Sequence, residues 1–120
     1  MVNTAVFEKL VQVAKAKSTI QFIELGRIAD MTLDSDEAIA ALGHILDEIA
    51  EEDVKAGRPL LAVLVVHGTR NMPGVGLFKF AKKKKLQKSD DLTFFATELK
   101  RGYDYWANAE PPGRVTGSEP

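Results

Sequence analysis

Cysteine is absent from this sequence of 120 residues. Its absence excludes disulfides, cysteine nucleophiles and cysteine-based zinc sites, and it fits a reducing compartment. Long apolar runs are also missing, since none approaches the roughly 20 residues that a membrane-spanning helix needs. The first residues show neither the basic segment nor the apolar core of a signal peptide. We therefore expect a cytoplasmic protein that has no membrane partner.

A large excess of charge of either sign is missing as well, because 16 basic and 17 acidic residues leave a formal net charge of −1. No overall field therefore draws the chain to nucleic acid or to a membrane. The apolar share of 45% and the charged share of 28% are ordinary for a globular protein. We predict one domain over residues 1–107 and a flexible tail over 108–120, where periodic apolar residues cease.

The sequence does contain one long unbroken apolar run, Leu60–Val66, with Pro59 before it and His67-Gly68 after it. Its three valines and these boundaries predict a strand that is buried on both faces. We expect Thr19-Ile20 to add a short strand at its edge. This one extended segment would be the centre of a mainly helical chain.

Helical periodicity covers most of the remaining chain, with apolar residues three or four positions apart over about 4–16, 21–30, 35–55, 77–86 and from 89 onward. Side-chain caps are predicted at Asp34 for the third helix and at Ser89 for the last, and Gly57 is predicted to end the third. The predicted buried stripes are Ile39, Leu42, Leu46 and Ile49 in the third helix and Leu92, Phe95, Leu99, Tyr103 and Trp106 in the last.

This order of elements predicts an α+β fold that is mostly helical. Residues 21–30 and 37–52 would be the two helices of a helix-turn-helix. The segment 60–67 would be the first strand of a wing whose tip is the loop 68–76. The predicted class is a winged helix-turn-helix-like core with one central strand in a short sheet, followed by two C-terminal helices.

Three segments resemble a set of small bacterial and phage proteins that have a winged-helix-like core. These segments are Leu42–Ile45, Gly57–Val66 and Met72–Phe78. The set shares a Pro-Leu-Leu-x-x-Val-Val-Val pattern followed by Pro-Gly-x-Gly-Phe, and some members end with a segment similar to Leu92–Trp106. The resemblance covers residues 18–107. It implies the fold and a bacterial or phage origin, and it implies no activity.

The third predicted helix is acidic, because residues 34–53 hold eight acidic and no basic side chains. Duplex phosphates would repel such a helix, so the predicted shape does not imply the usual mode of DNA binding. The face is either a solvated surface or a docking surface for a basic protein partner. The candidate docking residues are Asp47, Glu48, Glu51 and Glu52.

Residues 79–88 have the opposite charge, with six lysines and no acidic residue. Such a patch can hold the phosphates of DNA or RNA without reading sequence. It is equally typical of a solvated helix face, and it could pair with the acidic helix of a second copy in a homodimer. The six are Lys79, Lys82, Lys83, Lys84, Lys85 and Lys88.

The loop 68–76 contains three glycines, and its Pro73-Gly74 pair is typical of a type II turn. Its backbone N–H groups could hold an anion together with Arg58, His67 and Arg70. A structural turn with a hydrogen-bonded His67 is the simpler interpretation. The loop matches neither a P-loop nor a dinucleotide fingerprint.

Catalytic chemistry finds little support. His44 with Asp47 or Glu48 makes only a poor metal site, and no serine lies in a nucleophile-elbow context. We expect no cofactor and favour a non-enzymatic binding or regulatory protein that contacts nucleic acid, or a nucleic-acid-associated protein, through the lysine-rich helix and the glycine–proline loop. The alternatives are a protein–protein adaptor or inhibitor that uses the acidic helix 35–53, and a small-ligand or phosphate-binding protein at the loop 67–76.

Overall fold

Five α-helices and one very short sheet make up residues 3–107, the part of the chain that the structure, a computed structural model, describes. The helices are α1 (Thr4–Lys15), α2 (Phe22–Ile28), α3 (Asp36–Ala56), α4 (Val75–Lys83) and α5 (Asp91–Ala107). Strand β1 (Ile20–Gln21) pairs in parallel with β2 (Val65–Val66). The predicted α+β class, the short edge strand at Ile20 and the two C-terminal helices are confirmed. The predicted tail lies outside the described residues.

The segment predicted as the central strand is mostly a 3₁₀ turn. Leu61–Leu64 form this turn, and only Val65 and Val66 are extended. The predicted burial is confirmed, since every residue from Leu60 to Val66 is buried. The strand prediction was wrong over Leu61–Leu64 because an unbroken apolar run indicates burial but carries no period that separates a strand from a turn.

This buried run contributes to two apolar clusters. Leu60, Val63 and Val66, which precede, belong to and follow the turn, join a cluster with α4 and α5. Leu61 and Leu64 join a cluster built on α1, α2 and α3. The turn is therefore the shared centre of the whole core.

The N-terminal caps of α3 and α5 each lie one residue later than predicted. Ser35 Oγ accepts a hydrogen bond from the N–H of Ala38 at 3.1 Å and caps α3. Asp90 Oδ1 accepts from the N–H of Thr93 at 2.7 Å and caps α5. The predicted caps Asp34 and Ser89 were wrong. Before each helix two residues that can cap stand next to each other, and the second of them lies three residues before the N–H group that it accepts from.

The predicted buried stripes are wrong at their first residues, and their members Leu46, Leu99 and Tyr103 are only partly buried. Leu42 and Ile49 in α3 and Phe95 and Trp106 in α5 are buried. Ile39 is 45% exposed and Leu92 is 65% exposed, whereas Phe94, which the predicted stripe does not include, is buried. No helix within residues 3–107 has the length and apolar character to cross a membrane.

Candidate binding surfaces

The lysine run does not lie on one continuous helix face. Helix α4 ends at Lys83, and the chain turns at Lys85, whose φ of 61° is left-handed. The N–H of Leu86 closes this turn by donating to the carbonyl of Ala81 at 2.8 Å. The prediction that α4 extends to residue 86 was wrong, because the left-handed residue ends it. Lysines therefore extend from both the helix and its terminal turn.

Two of the six lysines are paired with carboxylates of the same chain. Lys82 Nζ lies 3.4 Å from Asp91 Oδ1, and Lys84 Nζ lies 3.0 Å from Glu51 Oε1. Within residues 3–107, the other four lysines have no carboxylate partner within 4.0 Å, and all four are exposed. These four are Lys79, Lys83, Lys85 and Lys88, and we call them the free lysines.

The acidic residues proposed for docking do not act as one group. Glu51 is occupied by Lys84, and Glu48 Oε2 lies 4.0 Å from His44 Nε2. Asp47 and Glu52 are exposed. Among the residues with described positions, no cluster of three histidine, aspartate or glutamate side chains is arranged to hold a metal ion. The structure thus offers no support for a metal at His44.

The loop after β2 is fixed by polar contacts to β1. Gln21 Nε2 donates to the carbonyl of Gly68 at 3.2 Å and to Asn71 Oδ1 at 3.1 Å. The N–H of His67 donates to the carbonyl of Met72 at 3.0 Å, which closes the loop. The predicted type II turn is wrong, since Gly74 has a φ of −71° and is instead the residue before α4.

The two arginines proposed for anion binding have different surroundings. Arg70 is exposed in a 3₁₀ turn over Gly68–Arg70. Arg58 Nε donates to Asp53 Oδ1 at 2.9 Å, and its guanidinium lies over the Phe7 ring, 5.5 Å from the centroid. The guanidinium of Arg58 is therefore already engaged in the interior, apart from the loop.

A groove with a volume of about 230 Å³ lies between α3 and α4 next to this loop. Phe22 and the exposed His67 also line it, with their rings stacked at a centroid distance of 4.8 Å and an interplanar angle of 23°. Partial burial lowers the pKa of His67 below its usual 6.5, which favours the neutral form of the ring. The helices line the groove with Ile39, Gly43, Leu46 and Ala50 of α3 and with Leu77 and Phe80 of α4.

Sequence reasoning missed this groove, although a signal for it was present. Ile39 and Leu46 belong to the predicted stripe of the third helix, and Gly43 and Ala50 follow them by four positions each, which widens that stripe with two small residues. Because glycine has no apolar side chain, Gly43 was not recognised as part of an apolar helix face. The proposed docking residue Asp47 also lines the groove.

Two buried carboxylates, Asp53 and Glu98, were also missed. Asp53 is fully buried, and its spacing of four from Ile49 continues the predicted stripe of α3. Glu98 follows Phe95 by three in the same way. A carboxylate on an apolar stripe was the available signal, because such a group is buried only when hydrogen-bonded.

The comparisons with known proteins give no relative for this chain. No protein-family model matches it, and neither a curated protein nor a solved structure shows significant similarity to it.

Proposed function

We propose that this protein is a non-enzymatic binding protein of the cytoplasm that contacts nucleic acid, or a nucleic-acid-associated protein, through α4, its terminal turn and the loop 67–76. The observation that carries the proposal is the group of four free lysines. Exposed lysines without partners can exchange their counterions for phosphates. A lysine that is already paired with a carboxylate, such as Lys84, gains less binding free energy from contact with a phosphate.

The winged-helix interpretation is part of this proposal. Helices α2 and α3 would be the two helices of the motif, and the loop closed by His67 and Met72 would be a short wing. The support for it is the order of elements, in which α3 leads through a buried segment to β2 and the loop. Arg70 at the loop tip would add one more cation to the lysine surface, whereas Arg58 is left out because Asp53 engages it.

The acidic helix determines how such a surface would lie on a polyanion. Its exposed carboxylates at Asp47 and Glu52 would be repelled by phosphates. The contact would therefore use α4 and leave α3 directed away from the nucleic acid. Contact through backbone phosphates alone predicts little preference for base sequence.

Salt-dependent binding to labelled duplex DNA, single-stranded DNA and RNA tests the proposal. With four lysine–phosphate contacts, the slope of log K against log salt for duplex DNA should be about −3.6. The double variant Lys79→Gln and Lys83→Gln should make this slope less negative by about 1.8. The matched control is Lys17→Gln with Lys55→Gln, which removes two exposed lysines elsewhere and should leave the slope unchanged.

Two results would contradict nucleic-acid contact. One is the absence of binding to all three probes at low salt. The other is binding with equal affinity at low and high salt, because phosphate contacts by lysine must weaken as salt increases.

A further inference from the structure

The groove between α3 and α4 is an apolar surface that the lysine proposal does not use. It is lined by apolar side chains of both helices and by the stacked rings of His67 and Phe22. Ile39 at one wall is 45% exposed, and Val75, beside the other wall, is 69% exposed. Large apolar side chains on the rim of a concave apolar surface are typical of an interaction site.

The size of the groove limits what it can hold. Pockets for drug-sized ligands and cofactors span roughly 300–1,000 Å³, and this groove has about 230 Å³. Among the described residues that line it, none is lysine, arginine, serine or threonine, so a phosphate or a sugar would find few partners. The volume and the lining fit one large apolar side chain of a partner.

Two glycines keep the groove open. A Cβ atom added at Gly43 or at Gly76 would meet no atom within 4 Å. Gly43 lies in the interior of α3, where glycine is less stable than alanine, and Gly76 lies in the first turn of α4. Neither has a positive φ, so the backbone does not require glycine at either position. The space beside the helices is what these glycines provide.

The charge of the groove indicates the sign of the partner. Asp47 is the carboxylate that lines it, and the other exposed carboxylates of α3 are Asp36, Glu37 and Glu52, whereas Glu51 is paired with Lys84 and the buried Asp53 with Arg58. A phosphate-rich surface, whether lipid or nucleic acid, would be repelled from this wall. A lysine or arginine next to the apolar side chain would instead be attracted to Asp47.

We propose that this groove docks a segment of another protein that presents one large apolar side chain beside a lysine or arginine. The apolar side chain would fill the space over Gly43 and Phe80, and the cation would lie at Asp47. The site is distinct from the free lysines and does not depend on their binding nucleic acid.

Selection from a display library of random dodecapeptides on the full chain tests the proposal, with the variant Gly43→Leu as the counter-target. The leucine fills the groove, and the open space at Gly43 allows the protein to fold. Enriched peptides should share an apolar residue next to lysine or arginine. A synthetic peptide of that type should lose affinity about 30-fold or more on Gly43→Leu and up to about fivefold on Asp47→Asn.

Two controls separate this site from others. Ala41→Leu places the same side chain on the exposed opposite face of α3 and should leave peptide affinity unchanged. Lys79→Gln with Lys83→Gln should also leave it unchanged, whatever these substitutions do to nucleic-acid binding.

Several outcomes would overturn the proposal. They are the absence of enrichment over the counter-target, enrichment of acidic peptides, and peptide binding that survives Gly43→Leu. Sedimentation that shows a dimer of the wild-type chain and a monomer of Gly43→Leu would assign the groove to a second copy and would equally overturn it.

Discussion

The backbone N–H of Leu61 donates to Oδ2 of the fully buried Asp53 at 2.9 Å. Glu98 of α5 does the same for the preceding residue, since its Oε2 accepts from the N–H of Leu60 at 2.8 Å. These two N–H groups begin the 3₁₀ turn at the centre of the core, where water cannot reach them. Carboxylates from two helices therefore satisfy donors that no strand or helix would pair.

Asp53→Asn should lower the free energy of unfolding by about 1–3 kcal/mol. Both oxygens of Asp53 accept hydrogen bonds, one from Leu61 and one from Arg58. An asparagine offers one oxygen, and its NH₂ group would face a donor. Urea unfolding followed by circular dichroism measures the change. The adjacent exposed Glu52→Gln is the control and should change stability by less than about 0.5 kcal/mol; equal effects of the two substitutions would contradict the role of Asp53.

The free energy of unfolding should decrease as pH increases from about 4 to above 6 through the titration of Asp53. Burial raises the pKa of Asp53 from 3.8 to about 6, against the hydrogen bonds from Leu61 and Arg58. A carboxyl with a raised folded-state pKa contributes stability that is complete below its unfolded pKa and is lost as pH increases through the folded value. The loss is on the order of 2–3 kcal/mol.

Urea unfolding at several pH values measures this dependence, and the difference between wild type and Asp53→Asn isolates it from other titrations. The asparagine variant should lack this part of the decrease between pH 4 and 6. If the free energies of unfolding of wild type and Asp53→Asn change in parallel with pH, the pKa of Asp53 is not raised.

Substitution by alanine should have opposite effects on stability at Gly43, which lies inside α3, and at Gly57, which follows its last residue. Gly43→Ala should stabilise the protein by about 0.5–1 kcal/mol, because the helix interior favours alanine and the added methyl meets open space. Gly57→Ala should destabilise it by roughly 1 kcal/mol, because Gly57 has a left-handed φ of 72°. Thermal unfolding of both variants measures these changes in stability. If both changes have the same sign, the helix ends elsewhere.

Phe22→Ala should raise the pKa of His67 toward 6.5. The Phe22 ring covers one face of the imidazole, and burial is what lowers the pKa of His67. The shift of the His67 ring protons with pH, measured by NMR, reports this pKa. Ile23→Ala truncates an adjacent side chain that is 57% exposed and should leave the pKa unchanged. If the pKa of His67 is unchanged in Phe22→Ala, other residues of the groove bury the imidazole.

The position and end of the central helix and the burial of the apolar run could be predicted from sequence. Helix α3 was predicted over 35–55 and spans Asp36–Ala56, and it ends at the predicted Gly57. The burial of Leu60–Val66 was also predicted. These features depend on spacing, on capping and on a residue that accepts positive φ, all of which are properties of neighbouring residues.

Tertiary structure alone decided the conformation of Leu61–Leu64 and the surfaces beside it. The run became a 3₁₀ turn where Asp53 and Glu98, 8 and 38 residues away from their bonding partners, accept its first N–H groups. The same packing separated α3 from α4 and left the groove between them. Sequence spacing fixes which side chains share a helix face, but which buried donors meet which acceptors depends on how distant elements pack, and that information is not local.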